Sequence, residues 1–394
     1  MSIEASRKPH IGLAIDTATS WGVSLIRGIH NFAAEHGPWE LELRPTGRFE
    51  PFRRRDSRQR LDGILARVTT TARARSLLKF KVPIVNVATH DPTAGGMAHC
   101  SVNTAAVGSL AAAHFLERGF RNFGYVTTGE RRDNYCDRML QAFSQTLTSQ
   151  GCLLSVFETF QRSRGFRLSD GARLARWLQE LPKPAAVLCW NAHEALRASM
   201  ACRSAGIGVP ATVAILAGEF DELSCSLANP PLSAVDEGGD IVGWHAARLL
   251  DRLMRGGARP RKSVLTEPRG LIVRQSTDTL AIADPLVVRA LTFIREHALS
   301  GIRVADVVRQ VPLSRRGLEL RFYQFLGRSP AEEIRYVRVQ HAQEMLANTN
   351  FTVRRIAHAS SFANENLLAR AFQHFVGQTP SVYRRRIRLP GSRR

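Results

Sequence analysis

Residues 322–330 read FYQFLGRSP and residues 372–380 read FQHFVGQTP. Phe322, Phe325, Gly327 and Pro330 return as Phe372, Phe375, Gly377 and Pro380, each fifty residues later. A short module repeated at a fixed offset marks a repeated structural unit, and two copies are too few for a solenoid. Each copy reads as helix–turn–helix. In the first, Val304, Val307 and Val308 give a short helix one apolar face, and Val311-Pro312 ends it. Ser314 has the hydroxyl of an N-cap, and Leu318, Phe322 and Phe325 follow at helical spacing. Gly327 stands where a left-handed residue would close the helix.

The second copy repeats this grammar. Val353, Ile356 and Ala357 form the short helix, Asn364 caps the next, Leu368, Phe372 and Phe375 are its buried stripe, and Gly377 ends it. Between the copies, Ser329-Pro330-Ala331-Glu332 is a capping box with proline at the first helical position. The helix it opens carries Ile334, Val337, Ala342, Met345 and Leu346 on one side. At 1.5 Å per residue it is a rod of roughly 25 Å, which sets the two second helices about one DNA turn, roughly 34 Å, apart. Such a rod can address two successive major grooves.

Residues 302–385 resemble the DNA-binding domain of the AraC/XylS family of bacterial regulators. Ser314-Arg315, Leu318, Phe322, Gly327, Ser329-Pro330, Ile356-Ala357, Phe362, Arg370, Phe372, Gly377, Thr379-Pro380 and Tyr383-Arg384 carry the likeness. It implies that Ser314, Arg315, Arg316, Glu319, Leu320 and Tyr323 on the first recognition helix face double-stranded DNA. Asn364, Glu365, Asn366, Ala369, Arg370 and Gln373 do so on the second. Two positions depart from the family pattern. Ser361 replaces its usual glycine, and Arg321 stands one place, about 100°, beyond the position Arg370 occupies in the second copy. Arg370 is the stronger candidate for a bidentate contact to guanine, and Arg321 reads as a phosphate contact or a structural ion pair.

Charge agrees with a polyanionic partner. Residues 284–394 hold 19 arginines, no lysine and 8 acidic residues, a net +11 within a chain whose total is +21. That asymmetry suits nucleic acid. Six scattered cysteines form no C-x-x-C pair, so they read as reduced side chains of a cytoplasmic protein. The opening MSIEASRKPHIGLAID predicts no secretion leader, and no apolar run reaches the length of a membrane span.

Residues 10–275 alternate short apolar runs with helical ones. Strands are expected at 11–15, 61–65, 83–87, 122–127, 185–190, 212–216 and 262–266. Helices include 21–36 (Val23, Ile26, Ile29 and Ala33 on one side) and 104–118 (Val107, Leu110, Ala111, His114 and Phe115). Such alternation predicts an α/β fold of parallel sheets covered by helices. A break near 99–104 and returns near 230–240 and 262–272 predict two hinged lobes.

This part resembles the periplasmic-binding-protein-like sensor of LacI-type regulators, through KVPIVNV (81–87), VNTAAVGSLAAAHFLERGFRNFGYV (102–126), NYCDRMLQAF (134–143), WLQELPKPAAVLCWNAHEALRA (177–198) and GIGVPATVAILAGEFDEL (206–223). A sensor of this kind ahead of an AraC-type domain is similar to the xylose-operon activator family over nearly the whole chain. The resemblance implies an effector held between the lobes at the strand C-termini. It points to Asp16, Asn103, Arg138, Asn191 and Glu219, with Asp221 the alternative to Glu219. Trp21 and Trp190 are placed to stack on a sugar ring or to serve as ordinary core aromatics. Arg138 reads otherwise as a partner of Asp133 or Asp137.

Domains are therefore expected at 1–275 (sensor), 276–285 (linker), 286–386 (double helix–turn–helix) and 387–394 (basic tail). Asp284-Pro285 should open the second domain, with Val287, Val288, Leu291, Ile294 and His297 on its first helix. The chain contains no Walker loop, no G-x-S-x-G and no His/Glu pair at metal spacing, so no catalytic residue, metal or cofactor is expected. The expected protein is a cytoplasmic, dimeric transcription regulator that responds to a sugar such as xylose and binds tandem promoter sites, with RNA polymerase a partner if it activates. A solute-binding protein and an enzyme on the same fold are the competing classes.

Overall fold

The computed structural model describes residues 7–43, 61–88, 96–128, 134–159, 168–279 and 284–387. It divides into two units: Met1–Ile207 with Ala214–Asp278, and Gly208–Val213 with Thr279–Arg394.

Among its described residues the first unit has twelve strands: β1 (His10–Ala14), β2 (Glu40–Leu43), β3 (Gly63–Ala66), β4 (Ile84–Asn86), β5 (Ala98–Val102), β6 (Asn122–Thr128), β7 (Leu153–Thr159), β8 (Ala185–Cys189), β9 (Val213–Ala217), β10 (Ser233–Asp236), β11 (Val264–Thr266) and β12 (Gly270–Ile272). Its helices are α1 (Ser20–His36), α2 (Thr71–Leu78), α3 (Thr104–Glu117), α4 (Asn134–Thr148), α5 (Leu168–Glu180), α6 (Ala192–Ser204), α7 (Glu222–Leu227) and α8 (Gly239–Met254). Two six-stranded sheets result, ordered β11-β5-β4-β3-β1-β2 and β12-β10-β9-β8-β6-β7. The first is parallel throughout its paired strands. In the second, β12 runs antiparallel to β10 at the edge. The central strands β1, β3, β8 and β9 are buried at every residue, as sheets covered on both faces require.

The chain crosses between the sheets three times, in the intervals the sequence marks. Asn103 N donates to Thr266 O at 2.7 Å, Arg269 N donates to Asp236 O at 2.8 Å, and Asn103 Nδ2 reaches Glu267 Oε1 at 2.9 Å. The three strands of the hinge are thus tied to one another. Below it, α1 lies against α8 at backbone distance. A Cβ on Gly28 would fall 1.9 Å from Asp240 O, and one on Gly243 would fall 2.1 Å from Leu25 O. The buried face of α1 is Trp21, Leu25, Ile29 and Phe32, whereas Val23, expected inward, is 44% exposed. A face turned by a residue is what a glycine-mediated close approach demands. The expected linker also differs at its start. Ser276 and Thr277 are fully buried in the sensor, with Ser276 Oγ donating to Ile215 O at 2.6 Å.

The second unit is all helical: α9 (Pro285–His297), α10 (Val304–Val308), α11 (Arg315–Leu326), α12 (Pro330–Asn348), α13 (Val353–Ala359), α14 (Glu365–Val376) and α15 (Pro380–Ile387). Asp284 caps α9 through Leu286 N and Val287 N. Ser314 and Asn364 cap α11 and α14, and Gly327 and Gly377 end them at φ 65° and 74°. The Ser329/Glu332 capping box is present in both directions. There are two cores. Ile334 and Val337 of α12 join Leu318 and Phe322 in the first, and Val339, Ala342 and Leu346 join Leu368 and Phe372 in the second. The expected basic tail lies outside the described residues apart from Ile387.

Ser361 shows why a glycine would suit its position. It follows α13 at φ 56°, in the left-handed region, and its Oγ donates to Leu299 O. The hydrogen bond, worth about 1 kcal/mol, offsets a backbone cost of about 1–2 kcal/mol. Ser361→Ala, which keeps the strain and loses the bond, should lower stability by about 1 kcal/mol, while Ser361→Gly should be near neutral. Urea midpoints of the two variants check this, and equal midpoints would contradict it.

Candidate effector cleft and nucleic-acid interface

The C-terminal ends of β1 and β9, one from each lobe, face each other. Ser20, at the start of α1, donates from its N (3.2 Å) and its Oγ (2.9 Å) to Asp221 Oδ2, and Glu222 N donates to Ser20 Oγ at 3.1 Å. Asp221 also caps α7 by accepting from Ser224 N at 2.9 Å. Burial acts to raise its pKa, and the hydrogen bonds from Ser224 and Ser20 outweigh this, so the carboxyl sits below its ordinary value. Beside this contact lies a cleft of about 600 Å³ whose walls include Trp21, Arg27, Phe220, Asp221, Glu237 and Arg269. That volume suits a small ligand.

Of the eight side chains expected at the effector site, Trp21 and Asp221 line this cleft. Asp16 is in the turn after β1, where its Oδ1 accepts from Ala18 N at 2.8 Å. Glu219 follows β9. Asn103 and Asn191 are the N-caps of α3 and α6, so their side-chain oxygens already have structural work. Trp190 is half-buried after β8, and its carbonyl lies 3.0 Å from where a Cβ on Gly218 would stand. Arg138 is exposed on α4. Sequence reasoning passed over Ser20, Arg27 and Arg269, because none belongs to a local motif. Arg269 arrives through the hinge, where it pairs with Asp236 at 3.1 Å and with Asp240 at 2.5 Å. Among the described residues no cluster of three or more His, Cys, Asp or Glu could hold a metal, and none of the six cysteines is in a disulfide.

In the second unit α11 and α14 present comparable faces. Arg315, Arg316 and Tyr323 on α11 are exposed, as are Glu365, Asn366, Arg370 and Gln373 on α14. Leu320 is 69% exposed, and Ala369 and Glu319 are half-exposed. Arg315 Nε pairs with Glu319 Oε1 at 3.0 Å along the helix surface. Arg370 makes no ion pair among the described residues. Arg321 turns back into its own unit and pairs with Asp284, the cap of α9. Burial acts to raise the Asp284 pKa, and hydrogen bonds from Leu286 N, Arg321 and Val287 N outweigh it, so the net shift is downward. The one-residue displacement of this arginine therefore gives it a structural partner.

Residues 112–277 match the periplasmic binding protein-like domain, and residues 307–386 match a helix-turn-helix domain. An AraC-like transcription regulator of Streptomyces lividans is 32% identical over 109 residues, 28% of this chain and 36% of that one. The xylose operon regulatory protein of Escherichia coli K12 is 25% identical over 397 residues, 96% of this chain and 97% of that one. The chain is a transcription regulator that carries an AraC-type helix-turn-helix domain. Its sensor-first order is shared in three dimensions with the structure of a xylose-binding transcription activator, at 24% identity and a TM-score of 0.82 over 96% of the regulator and 98% of that chain. The regulator belongs with DNA-binding transcription factors and not with enzymes, and no described helix is long and apolar enough to cross a membrane.

Proposed function

We propose that this regulator senses a small sugar between the lobes of its cytoplasmic sensor and binds tandem promoter sites through α11 and α14 as a homodimer. One observation carries the reading: Ser20 and Asp221 bond across the mouth of a ligand-sized cleft beside the indole of Trp21. A polyol has hydroxyls for such polar groups and an apolar face for an aromatic ring. Xylose is the first sugar to test, because relatives aligned over the full chain carry it in their names. The sugar acts by its differential affinity for two arrangements of the protein, which is all the free energy available for switching. Contact with RNA polymerase follows if the outcome is activation.

The test is promoter binding by the full chain, titrated with salt and with sugar. Contact with about six phosphates gives a slope of log K against log salt near −5. A flat salt response overturns the DNA reading, and binding that no sugar alters overturns the sensor reading.

Arg370→Ala and Arg321→Ala should separate in that assay. Loss of a bidentate base contact costs about 1–3 kcal/mol and relaxes preference at one base pair. Arg321→Ala should leave base preference alone and lower stability, because it strips Asp284 of its partner. Base-by-base competition binding ranks them, and the reverse ranking would refute the assignment.

A further inference from the structure

α11 and α14 come from copies of one module, so their outer faces compare position by position at the fifty-residue offset. On α14 the stripe at i, i+4 and i+7 is Asn366, Arg370 and Gln373, all exposed and all ending in hydrogen-bonding groups. On α11 the same stripe is Arg316, Leu320 and Tyr323, again exposed throughout. The middle position therefore changes from a guanidinium to an isobutyl group. Leu320 is 69% exposed, more than any other large apolar side chain described in the helical unit, and Tyr323, one turn on, is 56% exposed. The first core does not need them, because Leu318 and Phe322 supply its contacts from α11. Nor does Arg321 replace the missing guanidinium, since it pairs with Asp284.

A leucine scattered on a surface is ordinary. This one stands at the centre of the stripe proposed to enter the major groove, with Arg316 one turn before it. Guanine, adenine and cytosine present hydrogen-bonding atoms in that groove, and thymine adds a C5 methyl group. Leucine can satisfy none of those hydrogen-bonding atoms. Seated on guanine or cytosine, it would strip their edges of water without replacement, which is costly. Seated on thymine, it covers one apolar group with another, and both leave water. We propose that Leu320 reads a thymine methyl, so that the middle of α11 selects a T·A pair where the middle of α14 selects the G·C pair read by Arg370. The inference rests on the reading of both helices as base readers, and it makes the two tandem half-sites chemically unequal.

The experiment is competition binding of the full chain, at constant salt, to duplexes from the region upstream of its own gene. Each thymine is replaced in turn by deoxyuridine, which removes the C5 methyl and keeps every hydrogen-bonding atom. Replacement at one thymine is expected to weaken the wild type about fourfold, the effect of uncovering one buried methyl group. Leu320→Ala, a change at an exposed position, should bind the thymine and deoxyuridine duplexes equally. Arg370→Ala should keep the methyl preference and lose base preference at a G·C pair in the other half-site. Leu320→Arg, which copies the second module, should turn preference at the first pair from T·A towards G·C. A wild type indifferent to every replacement overturns the inference and leaves the exposed leucine to a protein partner. A methyl preference that survives Leu320→Ala overturns it too. A full chain that binds no duplex overturns the DNA reading itself.

Discussion

Glu333→Gln is expected to cost the helical unit about 3–5 kcal/mol, the range for removing one member of a buried charge cluster. Glu333 is fully buried in the first turn of α12. It pairs with Arg328 and lies 3.6 Å from Arg295, whose side chain is 12% exposed. Glutamine keeps the volume and removes the charge, which leaves two guanidiniums facing a neutral amide in a dehydrated site. The comparison is Glu319→Gln on α11. Its pair with Arg315 is largely solvated, and such pairs are worth about 0–1 kcal/mol. Hydrogen exchange of the α11 and α12 amides in the full chain reads both variants. Similar losses of protection would mean that the Glu333 cluster is not where the first core stores its stability.

Acidification should loosen the sensor through His114. Its ring is buried on α3, with Nε2 2.9 Å from Thr277 Oγ1, and Thr277 Oγ1 donates in turn to Ser233 Oγ at 2.7 Å. The hydroxyl's proton is therefore spent, so Nε2 carries the imidazole hydrogen. Burial, with help from the charge of Arg118, lowers the pKa to about 4. A depressed folded-state pKa favours the neutral ring. Its contribution is complete above the unfolded value near 6.5 and drains away as pH falls from there towards 4, by on the order of 3 kcal/mol. Melting temperatures of the full chain at pH 7 and pH 4.5 should diverge more for wild type than for His114→Gln, which keeps a donor and cannot titrate. Equal pH slopes would exclude His114 as the cause.

The helical unit was legible because its signals are local. Ser314, Asn364, Ser329 with Glu332, Gly327 and Gly377 each act within one turn of their own position, and all appear where their chemistry puts them. The sensor was legible where strands are central and apolar. β5 was not, since His99 and Ser101 look polar in sequence; His99 is buried because Ser263 Oγ and Ala88 O occupy its two ring nitrogens. β2 and β7 lie at sheet edges and are mostly exposed or half-buried. Ser276 and Thr277 looked like linker for the same reason as β5, because partners 43 to 61 residues away decide their burial. The cleft was least legible. Ser20 and Asp221 are 201 positions apart and meet only because the fold brings the ends of β1 and β9 together.

α12 has a further consequence, one of angle. Its first half is fixed in one core by Ile334 and Val337, its second half in the other by Val339, Ala342 and Leu346, and between them Arg338 donates to the carbonyls of Ala298 and Ile302. The rotation of α14 about that axis relative to α11 is then set by the number of residues between the anchors. One inserted residue would turn it by about 100°, close to the twist of three base pairs, while advancing it only 1.5 Å. Seven inserted residues would restore the angle to within about 20° and lengthen the rod by about 10 Å. With both helices on DNA as proposed, α12 would work as a vernier: residue count in the protein would be converted into phase along the double helix.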